Sequence, residues 1–164
     1  PRDVVISYSK FNGLTIEQTI NIMTKKTLYY TQDPKELSDI SIIGSWGFHY
    51  ESWKNGIPSI PRILIRYEDL NKNCSNIFEN VIKFLSKHMN CKLNYKKIET
   101  SIQLSQFKNL KEYEIKNTFK ENVGFDNFFR VGKSSNWKKE LSSNQAKIIE
   151  DKFNSEMIDL GYLP

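Results

Sequence analysis

The sequence is poor in the residue types that mark several specialised protein classes. It contains two cysteines, Cys74 and Cys91, and two histidines among 164 residues. Two cysteines are too few for a disulfide framework, so we expect a reducing compartment, the cytoplasm. The few cysteines and histidines stand at unrelated spacings, and no metal cofactor is expected. No apolar run approaches the roughly 20 residues that span a bilayer and no signal peptide is visible, so we expect no membrane partner.

The remaining composition is that of an ordinary globular protein with room for one domain and one core. Apolar residues make up 38% of the chain, aromatic residues 13% and charged residues 26%. The formal net charge of +5 suits an anionic ligand, but it also suits a protein that is simply rich in lysine. The lysines are scattered and no nucleic-acid-binding motif is present, so nucleic acid is not an expected partner.

Capping signals and apolar periodicity predict a mostly helical chain. Asp3 is expected to cap a first helix that ends near Asn12 before Gly13. Thr15 and Gln18 form a capping-box pair for a second helix. A third helix is predicted to begin at the Asp-Pro pair of residues 33 and 34. Its apolar face would comprise Ile43, Trp46, Tyr50 and Trp53, and its two internal glycines, Gly44 and Gly47, would allow another backbone to approach.

The second half of the chain is also predicted to be largely helical. We expect amphipathic helices over residues 77–89 and 95–102 and another after Ser105, followed by a weak, irregular pattern up to Asn127. Ser142 and Gln145 form a second capping-box pair. The last helix would turn a single apolar face inward: Ile149, Phe153, Met157 and Leu160.

One segment predicts a buried strand. The run "IPRILIRYEDL" (60–70) is continuously aliphatic, as in parallel sheets, and places a core strand at Ile60–Tyr67. Buried parallel strands need neighbours on both edges, so this strand cannot be a complete sheet. The chain also starts "PRDVVISYS", without methionine and with a helix almost at once. We therefore expect a chain cut inside a domain, with further strands upstream of Pro1.

Four motifs follow one another along the chain: "PRDVVISYS", "GSWGFHYESW", "IRYEDL" and "FFRVGKSSNWKKEL". In this order they resemble the cytosolic-type sulfotransferases, which use 3′-phosphoadenosine 5′-phosphosulfate (PAPS) as donor. The resemblance covers essentially the whole chain and roughly the last two thirds of such an enzyme. It implies an α/β, P-loop-kinase-like fold, in which residues 1–164 would be the C-terminal portion of a single domain. This portion would be mostly helical, with about one core strand.

The resemblance implies a site for the donor's 3′-phosphate. The family holds this phosphate with an arginine and a serine in a pattern like "RNPxDVxxSY"; the serine corresponds to Ser7, and the arginine would precede this chain. "FFRVGKSSNWK" resembles the family's "FxRKGxxGDWK". By this resemblance Arg130 would contact the phosphate in a bidentate manner, and Gly132 would let its backbone amide come close enough to donate. Phe128 and Phe129 would wall the nucleotide.

Two residues of this loop depart from the family pattern. Val131 stands where the family has a basic residue, and Ser135 stands where it has a second glycine. Loss of the charge at residue 131 is expected to weaken donor binding, which Lys133 could offset. Val131 nevertheless remains part of the predicted nucleotide-binding loop.

The resemblance also implies an adenine pocket. Tyr67 would stand at the C-terminal end of the predicted strand, where ligands of open α/β sheets sit. "LSQFKNL" resembles a Thr-Ser-Phe segment of the family and brings Ser105 and Phe107 to the adenine. For Phe107 an ordinary core position explains the residue almost as well.

The implied reaction is transfer of a sulfuryl group from PAPS to a hydroxyl or amine of a small-molecule acceptor. The family's catalytic histidine, its catalytic lysine and its 5′-phosphosulfate loop have no match in these residues, so no catalytic residue is expected and the chain alone should be inactive. His49 is not chosen as a base, because it should pack inward with Trp46 and Trp53. Where the family has its dimer motif, this chain has Lys138, Ser142-Ser143 and Lys147, so a dimer of that type is not expected.

Two alternative functions stay open from the sequence. A P-loop nucleotide kinase relative would carry "GxxxxGK[ST]", whose place would lie upstream. A non-enzymatic helical interaction module would use the positive charge for an acidic partner and would tolerate Arg130→Ala.

Overall fold

Helices dominate the described part of the chain. The computed structural model describes residues 1–25, 27–30, 41–89, 92–117 and 127–164. In chain order the elements are α1 Arg2–Asn12, α2 Ile16–Thr24, β1 Thr27–Tyr30, β2 Ser41–Gly44, α3 Trp46–Asn55, α4 Tyr67–Lys72, α5 Cys74–His88, α6 Tyr95–Leu104, α7 Phe107–Asn117, α8 Trp137–Glu140, α9 Ser143–Lys152 and α10 Asn154–Asp159. None of the helices in these ranges is long and apolar enough to cross a membrane.

The chain divides into two compact units. Unit 1 comprises Pro1–Ser59 and Ser135–Pro164, and unit 2 comprises Ile60–Ser134. In unit 1, β1 pairs antiparallel with β2, with Thr27 opposite Gly44. The sheet that this part of the chain contains is therefore a two-stranded one.

Both predicted capping boxes are confirmed. The Thr15 hydroxyl accepts a hydrogen bond from the Gln18 amide at 3.1 Å, and the Gln18 side chain accepts one from the Thr15 amide at 2.9 Å. Ser142 and Gln145 make the same reciprocal pair at the start of α9. Gly13 ends α1 in the left-handed conformation, with φ of 63°. These starts and stops follow from local side-chain chemistry, which is why the sequence reveals them.

The core of unit 1 joins both ends of the chain. Val5, Ile20 and Met23 from α1 and α2 pack with residues of the last two helices in one buried cluster, which also contains Ile149, Phe153 and Met157. Fully burying an aliphatic or aromatic side chain contributes about 1.5–3 kcal/mol each. The predicted inward face of the last helix is correct, although the structure breaks that helix at Phe153 into α9 and α10.

A polar cluster links α3 to α10 at the surface of unit 1. One Asp159 carboxylate oxygen accepts hydrogen bonds from both the Tyr50 hydroxyl and the Lys54 ammonium. The bond from Lys54, followed by that from Tyr50, lowers the pKa of Asp159. The same carboxylate raises the pKa of Tyr50 and that of Lys54.

Unit 2 is built from α4 to α7. Asn73 begins α5 by accepting a hydrogen bond from the Asn76 amide at 3.2 Å. Asn94 begins α6 in the same way, with the Lys97 amide at 3.0 Å. Asparagine at the residue before a helix satisfies an amide that the helix itself leaves unpaired.

The predicted core strand at Ile60–Tyr67 is wrong. Residues 61–66 belong to no strand, Tyr67 already begins α4, and the aliphatic side chains are exposed, with Leu64 at 64%. A strand needs a neighbour to receive its backbone hydrogen bonds, and the described residues offer this segment none. Apolar composition alone therefore does not make a strand here.

The predicted third helix is partly wrong. Its proposed start at residues 33 and 34 lies outside the described residues, and Ile43 lies in β2. The helix begins at Trp46, because the Ser45 hydroxyl accepts a hydrogen bond from the Phe48 amide at 3.1 Å. Trp53, expected to face inward, is 67% exposed.

The two glycines expected to meet another backbone meet side chains instead. A Cβ on Gly44 would overlap the ring of Phe48, and one on Gly47 would overlap the carboxylate of Glu156. Gly47 is buried where α3 approaches α10. The close approach is real, but the neighbours differ from the prediction.

Candidate functional site

Unit 2 brings two of the predicted donor-binding segments together. Phe107 opens α7, and Phe129 lies in the loop 127–134. Their ring centroids are 6.3 Å apart in an edge-to-face arrangement, and Phe128 stands 5.2 Å from Phe129 in the same manner. Such pairs contribute roughly 0.5–1.5 kcal/mol beyond their buried area. The result is an aromatic cluster of Phe107, Phe128 and Phe129, of which Phe128 is the exposed member.

Gly132 fits this cluster because it has no side chain. Its φ is 65°, in the left-handed region that only glycine adopts without strain. A Cβ here would come within 2.6 Å of the Cε2 and Cγ atoms of Phe107. The ring of Phe107 therefore lies directly against the backbone at Gly132, and both conformation and space require glycine.

A buried carboxylate holds the start of the loop. Glu114, on α7, accepts hydrogen bonds from the Phe128 amide at 2.7 Å and the Phe129 amide at 3.0 Å. The Arg130 amide then donates to the Phe128 carbonyl at 3.1 Å, which tightens the chain at the half-buried Arg130. Glu114 could not be predicted from the sequence, since a carboxylate that accepts backbone amides leaves no local motif.

A second carboxylate holds the residues that follow the loop, within unit 1. Asp3 accepts hydrogen bonds from the amides of Ser135 and Trp137, both at 2.8 Å. The expectation that Asp3 caps α1 is therefore wrong; Pro1 precedes the helix, and Asp3 lies in its first turn. Ser135 has φ of 65°, a left-handed conformation that glycine adopts without strain, and the family pattern that the loop resembles has glycine here.

Arg2 adds a further contact to the same region of unit 1. Its guanidinium carbon lies 4.1 Å from the centroid of the Trp137 ring, a cation–π geometry. It also pairs with Glu150 of α9. Trp137 thus packs against the guanidinium of Arg2.

Four other predicted site residues are exposed and are not members of the aromatic cluster: Ser7, Tyr67, Ser105 and Val131. Ser7 lies on the exposed side of α1 in unit 1. Within the described ranges its hydroxyl makes no hydrogen bond. The hydroxyl of Ser9, by contrast, donates to the Ile6 carbonyl. Tyr67 and Ser105 are exposed in unit 2, and Val131 is 37% exposed.

Unit 1 also contains a shallow apolar cleft of about 320 Å³. It lies between α1, α2 and α3, and its polar members include Tyr8, His49 and Ser52. His49 was expected to pack inward but is exposed, with its ring 6.4 Å from that of Trp53. The Ser52 hydroxyl is already used, since it donates to the His49 carbonyl at 2.8 Å.

The loop in unit 2 places an exposed aromatic ring, an arginine and a glycine close together in the chain. The aromatic cluster offers one exposed ring, Phe128, for stacking on a base. Arg130 follows two residues later with a planar set of donors suited to a phosphate. Gly132 has no side chain of its own to shield its backbone amide. A planar, anionic ligand fits this residue set.

Comparison with known proteins points to one family. A model of the sulfotransferase domain matches residues 1–161. The chain is 27% identical to a 3-beta-hydroxysteroid sulfotransferase of Cavia porcellus, over all of this chain and 55% of that protein. It is 28% identical to sulfotransferase 2A1 of Macaca fascicularis, over 73% of this chain and 42% of the relative. It is 22% identical to an amine sulfotransferase of Oryctolagus cuniculus, over 97% of this chain and 52% of the relative.

The chain thus spans about half the length of the curated relatives that it matches, less than the two thirds expected from its motifs. The matched region nevertheless contains all four motifs singled out in the sequence. Identities of 22–28% are low, but the family model covers nearly every residue. The chain belongs to the sulfotransferase family.

Proposed function

We propose that the protein transfers a sulfuryl group from PAPS to a hydroxyl or amine of a small-molecule acceptor. Family membership supports sulfuryl transfer in general. The relatives are named for a hydroxysteroid and for amines, which supports these two classes of acceptor group. Residues 1–164 would be the C-terminal portion of a single domain with the P-loop-kinase-like fold.

The donor's nucleotide would bind at the loop 127–134. The observation that carries this proposal is the contact between two segments distant in sequence, in which the ring of Phe107 lies against Gly132 and beside Phe129. Both segments belong to motifs that the family resemblance assigns to the donor. Their packing against each other supports a shared role.

Each residue would have a distinct role in holding the donor. Arg130 would pair with the 3′-phosphate, and Gly132 would donate its amide at close range. Phe128 would stack on the adenine, with Tyr67, Ser105 and Phe107 as further members of the adenine pocket and Phe129 and Val131 completing the loop. Ser7, in the middle of α1 in unit 1, would be a further donor-binding residue, as the family resemblance implies.

These residues bind and orient the donor but include no proposed catalytic base. PAPS supplies the sulfuryl group that the acceptor receives. Among the described residues we propose no group that removes the acceptor proton, so this chain alone should show no turnover. Its contribution to the rate would lie in positioning the donor for transfer.

Calorimetric titration with 3′-phosphoadenosine 5′-phosphate, the product nucleotide, tests the proposal. Arg130→Ala and Ser7→Ala should each weaken binding by about 1–3 kcal/mol, as expected for lost hydrogen bonds to a charged group. Arg62→Ala is the matched control, since it removes an exposed arginine outside the site. Adenosine 5′-phosphate, which lacks the 3′-phosphate, should bind more weakly to the wild-type chain and be little affected by Arg130→Ala.

Two outcomes would reject the donor site. The first is no binding of the nucleotide to the wild-type chain, which would favour the helical interaction module. The second is binding that Arg130→Ala leaves unchanged. Tight binding of a nucleoside triphosphate with no preference for the 3′-phosphate would instead favour a nucleotide kinase relative.

A further inference from the structure

Glu114 is a buried acid that neither the motifs nor the family resemblance assigns. It is 7% exposed, and its two carboxylate oxygens each accept one backbone amide of the loop. A buried carboxylate is costly unless hydrogen bonds replace its water, and charge-assisted bonds to amides do so. The buried carboxylate therefore fixes two consecutive peptide groups of the loop.

Those two peptide groups immediately precede Arg130. The amides of Phe128 and Phe129 point to Glu114, and the Arg130 amide turns back to the Phe128 carbonyl at 3.1 Å. The backbone is thus held on one side of Arg130, and this sets the direction in which its side chain leaves the chain.

The same helix holds the other side of Arg130. Phe107 and Glu114 are seven residues apart on α7, a spacing of two turns that puts them on one face. Phe107 contacts the loop at Gly132, two residues after Arg130. One face of α7 thus contacts the loop immediately before and after its arginine.

We propose that Glu114 is the positioning residue for Arg130 and thereby determines how strongly the protein prefers nucleotides with a 3′-phosphate. This inference rests on the proposed donor site. Glu114 is proposed to act through the backbone and not as a ligand, because its two oxygens accept the amides of Phe128 and Phe129. It acts by keeping the guanidinium in the geometry that a bidentate phosphate contact requires.

Glu114→Gln tests the inference, because it preserves shape while replacing one acceptor oxygen with a donor. Glu112→Gln, on the exposed side of the same helix, is the matched control. Binding of 3′-phosphoadenosine 5′-phosphate should weaken at least about ten-fold in Glu114→Gln, the scale on which outer-shell partners of ligating groups act. Binding of adenosine 5′-phosphate should change much less, and the control should match the wild type for both.

A double-mutant cycle with Arg130→Ala separates positioning from general stability. If Glu114 acts through Arg130, Glu114→Gln should have little further effect on binding once Arg130 is absent. Equal losses with and without Arg130, or equal losses for both nucleotides, would overturn the inference. Wild-type binding that is weakened by Arg130→Ala but not by Glu114→Gln would overturn it while leaving the donor site intact.

Amide hydrogen exchange supplies a readout that needs no ligand. In Glu114→Gln, but not in Glu112→Gln, exchange at Phe128 and Phe129 should become faster while the core amides of α5 are unchanged. Unchanged exchange at these two amides would overturn the positioning role even if no nucleotide bound. Failure of nucleotide binding alone would reject the proposed function.

Discussion

Ser135→Gly should stabilise the protein. Ser135 has φ of 65°, a conformation that costs an L-residue roughly 1–2 kcal/mol relative to the right-handed region. Glycine removes that cost but loses roughly 0.5–1 kcal/mol through the greater freedom of the unfolded chain. The Ser135 side chain is exposed, and the amide that donates to Asp3 at 2.8 Å is kept. The expected net gain is about 0.5–1 kcal/mol.

Urea denaturation and thermal melting would measure this gain. For a chain of this length, about 0.5–1 kcal/mol corresponds to a rise in Tm of roughly 1–4 °C. Ser134→Gly is the matched control: residue 134 does not have a positive φ, so glycine there should destabilise by about 0.5–1 kcal/mol. If Ser135→Gly proved no more stable than Ser134→Gly, the left-handed strain at Ser135 would be refuted.

Two further changes test other contacts. Gly132→Ala should destabilise the protein by about 2–4 kcal/mol in urea denaturation, because it adds left-handed strain and a clash with Phe107. Truncating Phe107 in the same chain should recover part of the lost stability. No recovery would contradict the clash. Asp159→Asn should lower stability near neutral pH, because bonds from Lys54 and Tyr50 lower the pKa of Asp159 from its ordinary value of 3.8. A carboxylate with a lowered pKa contributes stability above about pH 3.8, and this stability is lost as the pH falls through the folded-state pKa. The difference in free energy of unfolding between Asp159→Asn and wild type should therefore shrink on acidification. A difference that stays constant with pH would contradict a stabilising role of Asp159.

The two capping boxes and the glycine stop of α1 were the most predictable features of the fold, whereas the predicted helix start at Asp3 was wrong. The capping boxes at Thr15 and Ser142 and the glycine stop at Gly13 involve residues within a few positions of each other, so the sequence contains the whole interaction. The strand at Ile60–Tyr67 failed for the opposite reason. A strand depends on a neighbour elsewhere in the chain, and aliphatic composition does not supply that neighbour.

The backbone of the candidate site was predictable where a single residue type determines it. The arginine, the glycine and the aromatic residues of the loop stand in a motif, and Gly132 has the left-handed backbone that its glycine suggests. The carboxylates that hold the chain around them were not predictable. Glu114 accepts hydrogen bonds from backbone amides 14 and 15 residues away, and Asp3 accepts them from amides 132 and 134 residues away. Nearly every residue type has a backbone amide, so the identity of the donor residue gives no signal. Such bonds leave no trace in residue identity.

The discontinuous composition of unit 1 has a consequence for synthesis on the ribosome. Its buried cluster needs α9 and α10, which follow unit 2 in the chain, whereas unit 2 is a continuous segment whose helices emerge before them. During synthesis, Val5, Ile20 and Met23 therefore lack their partners from α9 and α10 until more than a hundred further residues have been added. Contacts of such sequence separation form slowly, and apolar surface exposed in the meantime favours aggregation. The nascent chain is thus expected to depend on chaperones until α9 and α10 have left the ribosome.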